Sequence, residues 1–424
     1  MPQRLSLTLL TPIALLLSIH PSPQCAAQSK NRVPIELKLV DAKAIGYATF
    51  QSHNQKVVAN EHGIFFTYVQ KADSRFKSQL WRLVRTKDGK SFDTIFKETR
   101  ATSAPALESN RRGRLFVGRP DFTNGHAYLS EFGPPFTKAH KTTILSGGSA
   151  GKYCMLLNEA QNQIVFFANN GQFFVVAANG KAKATRLLVN GKKAVLMYPH
   201  LTMGRDGTIY AAWTTQQHGK YCYRSIHALK STDGGLHWES LDGGPVKLPV
   251  VADDDGRSTH LTRSDELGVH TWLSAFMAKD NKLHFVYWAE TTPQRQRYLR
   301  YDPQTGKKEV DIERIFSKRA MSEPNDSGVF VANRTKPGSP LYYVSTIDDR
   351  KRLACLVSTN NGRSWREYAI SDRKFKNRVY SISAARDVTH DGWIVGTFTD
   401  VADGAKTYFE PNSGKVYFFR IKAR

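Results

Sequence analysis

A short unit that recurs seven times limits what this chain can fold into more than any other feature. Each copy is an apolar strand, a turn of Gly, Asn or Asp, and a second strand rich in aromatic residues. The copies are "VVANEHGIFFTYV" near residue 63, "ESNRRGRLFVGRP" near 113, "LLNEAQNQIVFFA" near 162, "TMGRDGTIYAAW" near 206, "MAKDNKLHFVYW" near 281, "ANRTKPGSPLYYV" near 337 and "DVTHDGWIVGTF" near 391. Helical periodicity is nearly absent, so the class is all-β. A spacing of about 45 to 75 residues suits the four-stranded blades of a β-propeller. Units one to six have room for four strands each. The last has three, at about 379–387, 392–399 and 415–422. The segment "VPIELKLVDA", residues 33–42, would supply the fourth and close the ring by pairing the two ends of the chain. The expectation is one seven-bladed propeller domain over residues 28–424.

A second pattern marks hairpin turns inside some units. Ser231–Trp238, "STDGGLHW", has the form S-x-D-x-G-x-x-W. Ser358–Trp365, "STNNGRSW", repeats it with Asn for Asp, and Thr86–Phe92, "TKDGKSF", is one residue shorter. The Asp or Asn accepts backbone N–H bonds, the Gly takes positive φ, and the aromatic packs beneath. These turns read as structural.

Residues 1–27 read as a secretory signal peptide. Arg4 is the charged region, Leu5–Ile19 the apolar one, and the cut falls after Ala27. Pro12 and the shortness of the run argue against a membrane anchor. Removing the segment takes one base and no acid, leaving 60 basic against 37 acidic residues, or +23. That excess suits an acidic partner, and secretion with scattered basic residues argues against nucleic acid. Cys154, Cys222 and Cys355 remain, so one internal disulfide at most is available, Cys154 with Cys222 among the pairings. No Cys/His spacing suggests zinc, and no cofactor is expected. The carboxylates of "ADDDG", Ala252–Gly256, could take a structural calcium ion, with a solvated loop as the alternative.

The boxed turns, the secretion signal and the blade pattern together resemble the BNR-repeat, or Asp-box, proteins of the sialidase-like superfamily. "ATFQSHNQKVV", "YPHLTMGRDGTIYAAWTTQ" and "IHALKSTDGGLHW" followed by "LDGGPVKLP" are similar to the secreted bacterial seven-bladed members. That group includes ulvan lyases and a rhamnosidase acting on rhamnosyl-glucuronate ends. Sialidases carry an early R-I-P motif and an arginine triad. Here Ser52-His53-Asn54 stands where an arginine would be expected, and no R-I-P occurs.

In a propeller the starts of the innermost strands converge at one mouth. Blade by blade they bring His53 and Asn54, Lys152 and Tyr153, Tyr198 and His200, His270 and Trp272, Asn325 and Asp326, and Arg378 and Tyr380. The rim adds Arg119 and Asp121, Gln217 and His218, Glu290, Arg295 and Arg297, and the pair Asp265/Glu266. This His/Tyr/Arg set fits β-elimination on a uronate. An Arg or amide neutralises the carboxylate, a neutral His takes the acidified proton, and a Tyr or second His protonates the leaving oxygen. The resemblance implies a lyase site of the same type. The expected catalytic residues are His53, Tyr198, His200 and Arg378. The expected substrate contacts are Asn54, Arg119, Gln217, His218, His270, Trp272 and Tyr380. The expected function is a metal-independent lyase on an acidic polysaccharide. The alternatives are a glycoside hydrolase, sialidase-like or rhamnosidase-type, and a non-catalytic glycan-binding propeller. A standard hydrolase is disfavoured, because it needs two carboxylates and the strand starts offer only Asp326.

Overall fold

The computed structural model describes residues 32–424 apart from 73–78, 178–179, 191–193, 218–222, 252–259, 267–268, 314, 316–327, 403 and 406. The segment read as a signal peptide, His218, Asn325, Asp326 and the candidate calcium loop lie outside the described residues. Val33–Arg424 form one compact unit.

Seven antiparallel blades follow each other in chain order. Six have four strands. The first blade runs Val57–Asn60, Gly63–Ala72, Gln79–Thr86 and Asp93–Ala101, and this innermost-to-outermost order repeats. The innermost strands of the later blades are Ala106–Ser109, Tyr153–Asn158, Ala194–Met203, Thr271–Lys279, Val329–Ala332 and Arg378–Ala384. The seventh blade closes as expected: Ile35–Ala44 pairs antiparallel with Gly414–Lys422, Ile35 opposite Ile421. The two ends of the chain therefore cover each other's open edge.

The fourth blade departs from the expected four strands, because its outer strand shrinks to a bridge between Lys230 and Glu239. The cause is local. Just past Glu239, Gly243 takes φ +86, and Ser240 N–H donates to the Gly244 carbonyl, turning the chain back before a ladder can grow.

Alternation within the strands sends apolar residues to both faces of each blade, and the core divides accordingly. The buried apolar residues fall into seven clusters, and each joins two neighbouring blades. Cys154 and Cys355 are buried free thiols, so the Cys154–Cys222 bridge is not made.

Candidate active site

Residues 45–56 lead into the first blade and carry Ser52-His53-Asn54 to the mouth. Lys56 explains how this loop is held. It is fully buried, and its ammonium donates to the Asn54 carbonyl (3.1 Å), the Asn54 side-chain oxygen (2.6 Å) and the Gln51 carbonyl. The loop is also tied to the third blade. Asn54 Nδ2 donates to the Tyr153 carbonyl at 3.2 Å, and Gln51 Nε2 to the Gly151 carbonyl. Asn54 is thus a buried anchor, while His53 stands half-buried between it and the mouth.

Three innermost strands meet His53 through bulges. Register shifts fall between Met197 and His200, Leu273 and Ala275, and Tyr380 and Ser383. Each places a residue in the same small pocket: Tyr198, Ser274 and Ser381 line it with Phe50, Ser52, His53, Trp272 and Leu273. Tyr198 and Ser381 hold φ of 48° and 50°, a left-handed conformation costly for residues with a side chain. Bulges re-aim side chains in this way beside functional sites. The pocket is small, with ≈ 10 Å³ of space for water-sized groups.

The rings at the mouth form a connected set. His53 meets Tyr198 edge-on at 5.4 Å between centroids and lies 5.3 Å from His200. The Tyr198 and Tyr223 hydroxyls are 3.3 Å apart. Trp272 stacks at 6.3 Å from Tyr198 and touches His270 at 4.9 Å. The Lys152 ammonium sits 4.9 Å above the Tyr198 ring.

The electrostatics keep the imidazoles neutral. Burial, then His200, Lys56 and Lys152, holds His53 well below the ordinary imidazole range. Burial lowers His200 to about 3 and His270 to about 4. His53 Nε2 is buried and has no hydrogen-bond partner among the described residues, and neither has Trp272 Nε1. The other histidines at the mouth are committed. His200 Nε2 donates to the Leu273 carbonyl at 3.3 Å, and His270 Nδ1 accepts the Tyr223 N–H at 3.1 Å.

The structure therefore gathers His53, Tyr198, His200, His270 and Trp272 from the expected set. Arg119 is elsewhere: it is buried against Glu98 (3.1 Å), donates to the Arg100 carbonyl and packs on Tyr128. Arg378 is exposed at the start of its strand and lines neither cavity beside His53. Tyr380 belongs to a near-parallel stack with Tyr47, Phe50 and Tyr408, which reaches the pocket only through Phe50. Gln217 ends the second strand of the fourth blade, opposite Ala194. On the rim, Arg295 pairs with Asp265 and Arg297 with Asp311.

Sequence reasoning missed Lys56, Tyr223, Ser274, Ser381 and Arg386. Arg386 lines a second cavity behind His53, pairs with Glu108 across the channel and donates to the Met155 carbonyl at 3.2 Å. No local motif announces these residues, since each matters through a partner far away in sequence. Among the described residues, no carboxylate lines either cavity beside His53, and no group of His, Cys, Asp or Glu could hold a metal ion.

No family model matches the chain, and no curated protein does. Solved structures do. A PL25 polysaccharide lyase, an ulvan lyase, superposes with a TM-score of 0.62 at 12% identity over 91% of this chain and 95% of that one. The polysaccharide lyase Uly1 gives 0.58 at 8% identity, covering 93% and 100%. The WD40 repeats of RRP9 give 0.51 at 8% identity, covering 93% and 99%. At such identities the likeness is one of fold alone.

Proposed function

We propose that this propeller is a carbohydrate-active enzyme that cleaves an acidic polysaccharide by β-elimination. One observation carries the reading: a half-buried, neutral histidine, whose buried Nε2 has no hydrogen-bond partner among the described residues, faces a tyrosine in a slot that no described carboxylate lines. A hydrolase of the ordinary kind needs two carboxylates flanking the bond. An eliminating site needs a base, an acid and a counter-charge for the uronate.

In the proposed step the His53 Nε2 lone pair takes the proton on the carbon beside the uronate carboxylate. The electrons of that C–H bond form the new C=C bond. The glycosidic C–O bond on the next carbon breaks, and its oxygen receives the Tyr198 hydroxyl proton. Tyr223, 3.3 Å from Tyr198, gives the phenolate a hydrogen-bonding neighbour. A PL25 ulvan lyase has been solved bound to -[GlcA(1-4)Rha3S]-, and that glucuronate–rhamnose chemistry is the first substrate class to try here.

The test follows absorbance of the unsaturated uronate on a panel of acidic polysaccharides. A rise is expected for the wild type. Losses of about 10²–10⁴-fold are expected for His53→Ala and Tyr198→Phe. New reducing ends without that absorbance would replace the lyase with a hydrolase, and binding with neither would leave a glycan-binding module.

A further inference from the structure

Four other buried or partly buried cations are already spoken for. Lys56 is held by three oxygens of its own loop. Arg386 pairs with Glu108, Arg334 with Asp387 through two contacts of 3.0 and 2.6 Å, and Arg119 with Glu98. Lys152 differs. It enters the mouth at the head of the third blade, half-buried, and among the described residues no carboxylate pairs with it. Its ammonium rests 4.9 Å above the Tyr198 ring and 3.8 Å from the Met197 sulfur. A ring face and a thioether are soft neighbours that do not neutralise a charge. An ammonium taken out of water without a counter-ion is costly, and an incoming anion removes that cost. Burial accordingly lowers Lys152 to about 8. Its field also reaches His53, whose pKa it pushes down.

We propose that the Lys152 ammonium is the carboxylate-holding subsite of this mouth and sets its preference for acidic over neutral sugars. The inference rests on the lyase reading above and names the group that reading lacks: Lys152, like Arg378, lines neither cavity beside His53, but its ammonium stands over the ring of Tyr198, which does line the pocket. A carboxylate on Lys152 lies beside the Tyr198 ring, and therefore near both groups assigned to proton transfer. Lysine serves here as a compact point charge on a flexible stem and does not demand a planar, bidentate partner.

The test compares two probes on the full mature chain by calorimetry. One is a glucuronate–rhamnose oligosaccharide, and the other is the same oligosaccharide with its carboxyls reduced to alcohols. The wild type is expected to prefer the acidic probe at least tenfold. Lys152→Met, matched in melting temperature to the wild type, is expected to bind both alike, and Lys152→Arg to restore a preference. An undiminished preference in Lys152→Met overturns the proposal, as does a wild type that does not favour the acidic probe. Assaying unsaturated product on the same samples separates the two claims. A Lys152-dependent preference without product sinks the lyase and keeps the subsite. Product with an unchanged preference in Lys152→Met does the reverse.

Discussion

At the scale of the residue, the proposed site rests on a histidine and a lysine that each carry the protonation state the proposed chemistry needs. His53 is neutral because burial and nearby cations make a second proton expensive. Activity should therefore persist as pH falls through 6.5. Lys152 sets the other limb. Its charge is present below about 8 and lost above it, so kcat/KM on a uronate chain should fall as pH rises through about 8. Lys152→Arg keeps its charge to far higher pH. Its alkaline limb should move up by more than one pH unit, and a limb that stays in place would assign it to another group. In the empty protein the stability effect of Lys152 has the opposite direction. Its folded pKa lies below its unfolded value of 10.5. Its burial cost is therefore full below about 8 and relieved as pH climbs toward 10.5.

At the scale of the element, the three Ser/Thr–Asp/Asn–Gly turns solve one problem in one way. In each, the carboxylate or amide oxygen collects N–H donors: Asp88 from Lys90 and Ser91, Asp233 from Leu236 and His237, Asn360 from Ser364. The aromatic that follows packs on the third strand of the preceding blade: Phe92 on Phe418, Trp238 on Phe173, Trp365 on Tyr298. The glycine lies against the same partner. A Cβ on Gly362 would stand 1.6 Å from the Tyr298 hydroxyl, whereas one on Gly338, at a similar positive φ, meets nothing within 4 Å. Gly362→Ala should cost about 1–3 kcal/mol more than Gly338→Ala in denaturant unfolding. Equal costs would mean that backbone strain alone fixes the glycine. These turns were legible in the sequence because their bonds are local, and so was the ring closure, because strand alternation and a missing fourth strand both appear in the residue order. His53 and Tyr198 stood out for a related reason, since polar rings interrupt apolar strand starts. Arg119 reads the same way and yet pairs with Glu98, 21 residues away, and Lys56 reads as a surface lysine until its loop folds over it. Partners brought together by the ring leave no periodic trace.

At the scale of the whole molecule, seven inter-blade cores in a closed ring tie every blade to both neighbours, so a local cost is felt globally. Four buried histidines concentrate in blades four and five: His200, His227, His270 and His284. Burial lowers His200, His227 and His284 to about 3 and His270 to about 4. Each is packed to stay neutral. His227 lies flat on Trp213 at 5.5 Å with Nε2 2.8 Å from the Ser225 hydroxyl, and His284 Nδ1 lies 2.7 Å from the Tyr298 hydroxyl. In the unfolded chain all four take a proton near pH 6.5. Between about pH 6.5 and 4 the unfolded state thus holds up to four more protons on these residues, with His53 adding a fifth, and stability falls as pH falls. Each histidine contributes at most about 1.4 kcal/mol per pH unit, so the four together approach ~5 kcal/mol per unit. Urea unfolding from pH 7 to pH 5 should show this loss as a single cooperative transition. His227→Gln, which cannot titrate, should lower the slope by about one proton. A slope unchanged in that variant would mean that His227 gains no proton on unfolding, and a transition that splits in two would show that blades four and five unfold apart from the ring.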